Sequence, residues 1–218
     1  MPIRAVIFDL GGVVLGSPLH AIADYERANG IPSNFVNRVV AKTSPSGAWS
    51  RLERGEIAMA EFFGDFEAEC AQAGHSIDAR AMFAGMGEAA QPRPMMLDAI
   101  GRIRARGLSV AALTNNWAPE ADPAEPAKTS SAASGPPLSA AFDVFIESSV
   151  VGLRKPDPRI YQLACKQIGV TPDSAAFLDD IGTNLKSARA LGMTTIRVVE
   201  PEAALRELEE VLGFSLLG

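Results

Sequence analysis

The fold is decided by the stretch Ala5-Val6-Ile7-Phe8-Asp9-Leu10-Gly11-Gly12-Val13-Val14. Its first four residues are apolar and β-prone, which is typical of a short strand buried inside a parallel sheet. Asp9 follows directly, and ligands of open α/β sheets bind outside the carboxyl ends of such strands. The two glycines permit a tight turn or a close approach of the backbone to a ligand. Asp9 is therefore a candidate functional residue, although aspartate is also common in ordinary turns.

Beyond residue 90, short β-prone runs alternate with stretches of helical periodicity. The predicted strands after the first cover residues 108–113, 142–147, 175–178 and 194–199. The predicted helices cover residues 95–106, 158–168, 184–191 and 202–212. Strand–helix alternation of this kind favours βαβ units. We therefore predict an α/β fold with a parallel sheet and helices on both of its faces.

Residues 18 to 92 have a different pattern, because they show helical periodicity and contain no good strand. The predicted helices there cover residues 19–28, 35–41, 56–73 and 77–89. This block follows the first strand directly, so we predict an inserted helical cap beside the strand ends. A further segment, 118–141, is rich in Pro, Ala, Ser and Glu, which is typical of a long flexible or disordered loop.

Composition excludes several classes of protein. The 218-residue chain has a formal charge of −6 and no run of Lys or Arg, so we expect no binding to nucleic acid or to anionic membranes. It contains no apolar stretch of membrane-spanning length, and the first strand begins almost at Met1. Cys70 and Cys165 are too few for a disulfide framework, so reduced, partly buried thiols are expected. These features predict a soluble cytoplasmic protein.

Polar side chains follow each later strand as well. Thr114 and Asn115 come after the second predicted strand, Asp179 and Asp180 come after the fourth, and Lys155 lies between them before a helix. The carboxyl ends of parallel strands meet at one edge, so these groups should converge with Asp9. Carboxylate oxygens suit a hard cation such as Mg²⁺ that also contacts a substrate phosphate. Lysine and the metal would together offset the repulsion between the carboxylates.

The order of these motifs resembles the haloacid dehalogenase-like (HAD) hydrolase superfamily over nearly the whole chain. The matching segments are Phe8-Asp9-Leu10-Gly11-Gly12-Val13, Leu113-Thr114-Asn115, Lys155-Pro156, and Phe177-Leu178-Asp179-Asp180 with Asn184. The amino-acid sequence of residues 152–161 and 178–185 is similar to that of the phosphatase-like N-terminal domains of soluble epoxide hydrolases. It is closer still to the related domains found with some acyl-CoA dehydrogenases. The resemblance implies a Rossmann-like core over 1–17 and 93–218 and a helical cap over 18–92.

The resemblance also implies roles for the residues of the cluster, in the hydrolysis of a small phosphorylated metabolite. Asp9 would be the nucleophile that forms an aspartyl-phosphate. Asp9, the backbone carbonyl of Gly11 and Asp180 would hold Mg²⁺. Thr114 and Asn115 would bind the phosphoryl group, and Lys155 would neutralise its charge. Asp179 and Asn184 would position the metal and its loop.

One position departs from the usual phosphatase pattern, which has a second Asp two residues after the nucleophile. Here that position is Gly11, so the general acid–base, typically worth about 10²- to 10⁴-fold in rate, is missing. A weakly active or non-catalytic phosphate-binding module is therefore an alternative. A 2-haloacid dehalogenase needs no such acid but usually has Tyr there. A phosphonate-cleaving enzyme would need a cap lysine, and Lys42 is the one candidate.

A few other side chains are open to two interpretations. His20, at the start of the cap, is either a surrogate proton donor or a surface histidine. Trp49 and Trp117 either line a substrate pocket or pack in a core. The charged run of Arg51, Glu53 and Arg54 is interpreted as a solvated helix face. Nothing in the sequence indicates the substrate or the oligomeric state.

Overall fold

The computed structural model describes residues 2–118 and 137–218. Its core is a five-stranded sheet in the order β3-β2-β1-β4-β5, and every neighbouring pair of strands is parallel. The predicted α/β fold with a parallel sheet is confirmed. The strands are β1 (Ala5–Phe8), β2 (Ser109–Thr114), β3 (Val144–Glu147), β4 (Ala175–Asp179) and β5 (Thr194–Arg197).

The first strand lies in the centre of the sheet. Its residues pair with β2 on one side and β4 on the other, so that Phe8 lies beside both Ala112 and Leu178. All four residues of β1 are completely buried, which explains why the strand is a continuous apolar run rather than an alternating one. The central position brings Asp9, the next residue, to the middle of the carboxyl edge of the sheet.

Helices cover both faces of the sheet. Val6 and Phe8 belong to one apolar cluster with residues of the helices at 94–105 and 201–212. Ile7 faces the other way, into a cluster with the helices at 158–168 and 182–190. Successive side chains of a strand point to opposite faces, so this division follows from the strand geometry.

The bounds of the eight predicted helices agree with those in the structure to within a few residues. Two short helices, over residues 48–53 and 148–151, were not among the predicted helical segments, because segments this short carry almost no periodicity. The α-helices are α1 (Pro18–Ala28), α2 (Phe35–Thr43), α3 (Ala48–Glu53), α4 (Met59–Gln72), α5 (Ala79–Ala89), α6 (Pro94–Ala105), α7 (Ser148–Val151), α8 (Pro158–Ile168), α9 (Gly182–Ala190) and α10 (Pro201–Leu212).

Helices α1 to α5 form the segment that we call the helical insert, residues 18–92. The insert has an apolar core of its own, and the aromatic rings of Trp49, Phe62 and Phe66 pack within it at centroid separations of 5.3–5.8 Å. Trp117, which follows β2, packs against that core at 6.3 Å from Trp49. The exact boundaries of the predicted cap remain a prediction.

Most of the predicted loop lies outside the described residues. Residues 119–136 are not part of the described ranges, and Leu138–Ala141 form a short 3-10 helix before β3. Within the described ranges, no helix combines the length and the hydropathy that a membrane crossing requires. Cys70 and Cys165 are both free and buried, as expected.

Candidate active site

Asp9 lies at the carboxyl end of the central strand and is only 6% exposed. Its Oδ1 accepts a hydrogen bond from the backbone N–H of Leu10 at 2.7 Å and lies 2.8 Å from the Lys155 Nζ. Burial raises the pKa of the Asp9 carboxyl well above its usual value. The Lys155 ammonium opposes that pKa shift, while the nearby Asp179 and Asp180 reinforce it. The site therefore holds this carboxylate in a charged state only with cationic help.

Lys155 supplies part of that help. Its side chain is 1% exposed, and Nζ lies 2.8 Å from Asp9 Oδ1 and 2.8 Å from Asp179 Oδ2. Burial alone would lower the pKa of this ammonium, but the carboxylates of Asp179 and Asp9 outweigh burial and raise the pKa. The two carboxylates therefore favour the charged form of Lys155 inside the site.

Asp179 is held by groups on both sides. Besides the Lys155 ammonium, its Oδ1 accepts from the backbone N–H of Ile181 at 2.7 Å. The Asn184 amide donates to both oxygens of Asp179, at 3.1 and 3.0 Å. Asn184 is fixed in turn because its carbonyl accepts from the Tyr161 hydroxyl at 3.0 Å. Asp179 thus ties the lysine to the first turn of α9.

Asp180 completes a carboxylate cluster that fits a hard divalent cation. One oxygen each from Asp9, Asp179 and Asp180 lies within 4.8 Å of the others, and oxygen donors are the ligands that Mg²⁺ prefers. Because of burial, the pKa of Asp180 is raised to about 6. Gly12 makes room for this carboxylate, since a Cβ at Gly12 would lie 2.2 Å from Asp180 Oδ2.

Thr114 and Asn115 lie beside this cluster, at the end of β2. Thr114 is 7% exposed, and both residues line the cavity that contains Asp9. The Asn115 side chain brackets the backbone of Lys155: its Oδ1 accepts from the Lys155 N–H at 2.8 Å, and its amide donates to the Lys155 carbonyl at 3.0 Å. Asn115 therefore holds the lysine loop, a contact that the sequence did not indicate.

A family model described as haloacid dehalogenase-like hydrolase matches residues 3–192. The chain belongs to the haloacid dehalogenase-like hydrolase family. It is 40% identical over 217 residues to the mouse acyl-CoA dehydrogenase family member 10, and 35% identical over 226 residues to the pig bifunctional epoxide hydrolase 2. These matches cover 98% and 100% of the chain, which spans only 19% and 40% of the two relatives' lengths.

The fold of the HAD core is also found in solved structures. One is an HAD family enzyme from Bacteroides thetaiotaomicron in complex with magnesium and inorganic phosphate, with a TM-score of 0.60 and 20% identity. The match covers 89% of this chain and 93% of that one. At this identity the similarity concerns the fold alone.

The predicted residues of the HAD site come together as a group. Asp9, Lys155 and Asp179 are joined directly by ion pairs, Asp180 lies in the same carboxylate cluster, and Asn184 is bonded to Asp179. Their roles in binding and catalysis stay predictions. Gly11 lines the cavity beside Asp9, while the side chains of His20 and Lys42 are exposed and are not among the residues lining that cavity.

A cavity of about 1150 Å³ extends from Asp9 into the helical insert. Its floor is the polar edge of the sheet, and much of its wall is apolar. The apolar lining residues include Leu19, Ile22, Val40, Met59, Phe63, Phe83, Trp49 and Trp117. The two tryptophans therefore both pack in the core of the insert and line the cavity.

The interpretation of Glu53 as part of a solvated helix face is wrong. Glu53 is 6% exposed, and its Oε2 accepts from Arg154 Nε at 2.5 Å. Its Oε1 accepts from the Trp49 indole N–H at 3.0 Å. Arg154 is 101 positions away in sequence, so no local pattern reveals the pair. Because Arg51 and Arg54 are charged, the local sequence suggests an exposed segment although the Glu53 carboxylate is buried.

Proposed function

We propose that this HAD hydrolase is a Mg²⁺-dependent phosphatase that acts on a small phosphorylated metabolite through an aspartyl-phosphate on Asp9. One observation carries the proposal: Asp9 ends the central strand 2.8 Å from a buried lysine and within the cluster formed with Asp179 and Asp180. A carboxylate placed in this way can attack phosphorus while positive charge offsets the developing negative charge.

The reaction proceeds in two steps. An Asp9 carboxylate oxygen forms a bond to phosphorus as the bond from phosphorus to the leaving oxygen breaks. Water then attacks phosphorus, the Asp9–phosphorus bond breaks, and inorganic phosphate leaves with the free carboxylate restored. Lys155 keeps its proton throughout and stabilises the phosphoryl oxygens, while the Thr114 hydroxyl donates to one of them. The Asn115 amide assists mainly by holding the lysine loop.

The residues that would hold the metal are Asp9, Asp180 and the backbone carbonyl of Gly11. Asp179 is less suited to this role, because its two oxygens already accept from Lys155, Asn184 and the Ile181 N–H. When bound, Mg²⁺ supplies charge neutralisation for the nucleophile and the phosphoryl group.

Gly11 determines which leaving groups suit the enzyme. No side chain there can protonate a departing alkoxide, so that proton comes from water. The resulting loss of about 10²- to 10⁴-fold falls on substrates with poor leaving groups. Acyl phosphates and phenolic esters leave readily as anions, and we propose that they are turned over faster than alkyl phosphates. The apolar cavity wall favours a substrate whose organic part is also apolar.

The test is a phosphate-release assay with acetyl phosphate and p-nitrophenyl phosphate in the presence of Mg²⁺, using wild type and Asp9→Asn. The wild type should release phosphate, and intact-mass measurement should detect phosphorylation that Asp9→Asn lacks. EDTA should abolish both signals. If wild type and Asp9→Asn release phosphate equally and no adduct forms, the proposal is wrong.

The second candidate is a weakly active or non-catalytic phosphate-binding module, which Gly11 specifically favours. Gly11→Asp separates the two functions. The position has φ −63° and ψ 125°, which any residue can adopt, and a Cβ there would lie 3.2 Å from Pro18 Cδ. Pro18 must move by a few tenths of an ångström to accommodate that Cβ. A gain of about 10²-fold or more on alkyl phosphates would identify a site that lacks only its acid. Chloride release insensitive to EDTA would instead favour a 2-haloacid dehalogenase.

A further inference from the structure

A buried carboxylate from the helical insert reaches the edge of the sheet that carries the active site. Glu53 is the last residue of α3, and its side chain is 9% exposed. Its Oε2 accepts from Arg154 Nε at 2.5 Å and from the Asn115 amide at 3.4 Å. Its Oε1 accepts from the Trp49 indole at 3.0 Å. Glu53 thus links the core of the insert to two residues of the HAD core.

Both of those core residues adjoin Lys155. Arg154 precedes Lys155 in the chain, so a side-chain contact that restrains Arg154 acts on the same loop. Asn115 holds the same backbone from the other side, through bonds of 2.8 and 3.0 Å to the Lys155 N–H and carbonyl. The Lys155 Nζ in turn lies 2.8 Å from Asp9. A continuous set of polar contacts therefore runs from Glu53 to the nucleophile.

The insert is seated closely against the core at this point. Gly55, two residues after Glu53, has a φ of +68°, and a Cβ there would lie 2.3 Å from the carbonyl oxygen of Ser149 in α7. Only glycine permits so close an approach with that backbone conformation. The carboxylate of Glu53 therefore contacts the core close to a point where the two backbones approach each other directly.

We propose that Glu53 is a positioning residue: its ion pair with Arg154 and its bond to Asn115 fix the loop that aligns Lys155 with Asp9. Docking of the helical insert on the core therefore also aligns Lys155 with Asp9. The kinetic consequence rests on the proposed function, whereas the structural consequence does not. Misplacing a catalytic group by about 1 Å can cost on the order of 10²-fold in rate.

The structural test is hydrogen exchange of the peptide that contains Arg154 and Lys155, in Glu53→Gln and wild type. A glutamine has one amide oxygen, so it directs an N–H donor either at Arg154 or at the Trp49 indole, and one contact is lost. Exchange at the Lys155 amide should rise about tenfold, because a charge-assisted hydrogen bond no longer restrains the loop. Arg154→Gln breaks the same ion pair from the core side and should give the same rise.

The matched control is Glu56→Gln. Glu56 lies three residues after Glu53 and pairs with Arg54 at 2.6 Å, but its side chain is 48% exposed. Exchange around Lys155 should be unchanged in this variant. If Glu53→Gln and Arg154→Gln both leave exchange at Lys155 as it is in wild type, the proposed positioning role is wrong.

A kinetic test then separates positioning from general stability. With acetyl phosphate, Glu53→Gln should lower kcat by about 10- to 100-fold and change KM by less than about threefold, because alignment with the transition state is lost while the cavity persists. A rise in KM alone, or kcat equal to that of Glu56→Gln, would overturn the kinetic part. If wild type shows no turnover, the proposed function fails, and hydrogen exchange still decides the role of Glu53.

Discussion

Lys155→Met removes the positive charge from the centre of the buried carboxylate cluster and leaves a side chain of similar length. In wild type, Nζ makes ion pairs of 2.8 Å with both Asp9 and Asp179, and the lysine side chain is 1% exposed. Removing one partner of a buried ion pair costs about 3–5 kcal/mol, because the remaining charge is uncompensated. A chain of this length loses about 2–4 °C per kcal/mol, so the melting temperature should fall by about 6–20 °C.

The assay is thermal and urea unfolding in EDTA, so that no divalent cation compensates for the missing ammonium. Lys166→Met is the matched control, because Lys166 is an exposed lysine on α8. Exposed substitutions usually change stability by less than about 0.5 kcal/mol. Combining Lys155→Met with Asp9→Asn should reduce the loss, since one of the stranded carboxylates is then neutral.

The outcome that refutes this reasoning is a melting temperature for Lys155→Met within about 2 °C of the Lys166→Met control. Such a result would mean that the carboxylates need no lysine, and the electrostatic description of the site would be wrong. A double variant no more stable than Lys155→Met alone would show that Asp9 and Lys155 are not coupled.

Two further predictions concern the glycine loop and the thiols. Gly12→Ala places a Cβ 2.2 Å from Asp180 Oδ2 at a φ of +80°, so it should cost at least about 1–2 kcal/mol from the left-handed backbone alone and weaken stabilisation by Mg²⁺. The control is Gly64→Ala, because a Cβ at Gly64 meets nothing within 4 Å. If Gly12→Ala leaves the melting temperature unaltered both with and without Mg²⁺, the predicted destabilisation is wrong. Burial raises the pKa of Cys70 to about 12, so little thiolate exists below that pH. Between pH 7 and 9, iodoacetamide should therefore label Cys70 in urea but not in the native protein. Rapid native labelling, measured by intact mass, would contradict its burial.

Much of the site could be predicted because its residues follow buried strands. Asp9 follows β1, Thr114 ends β2, and Asp179 ends β4 with Asp180 directly after it. Since the strands of a βαβ fold are parallel, their carboxyl ends must meet at one edge, whatever the details of packing. The helices of the core were predicted for a similar reason, since apolar periodicity is a local signal.

Glu53 could not be predicted in the same way. Its partners Asn115 and Arg154 are 62 and 101 positions away, and α3 has only 6 residues, too few for a clear apolar face. A glutamate between two arginines normally indicates a segment that is exposed to solvent. Its burial results from the docking of the insert on the core.

The amino-acid sequence by itself determined the succession of strands and longer helices along the chain. It also determined most of the groups that meet at the sheet edge, because periodicity and strand direction are properties of short segments. Only the tertiary structure decided that Lys155 lies between Asp9 and Asp179 and that Glu53 holds the lysine loop. The first contact joins segments of the core that are distant in the chain, and the second joins the helical insert to the core. Packing between distant segments is governed by shape and buried charge rather than by local pattern.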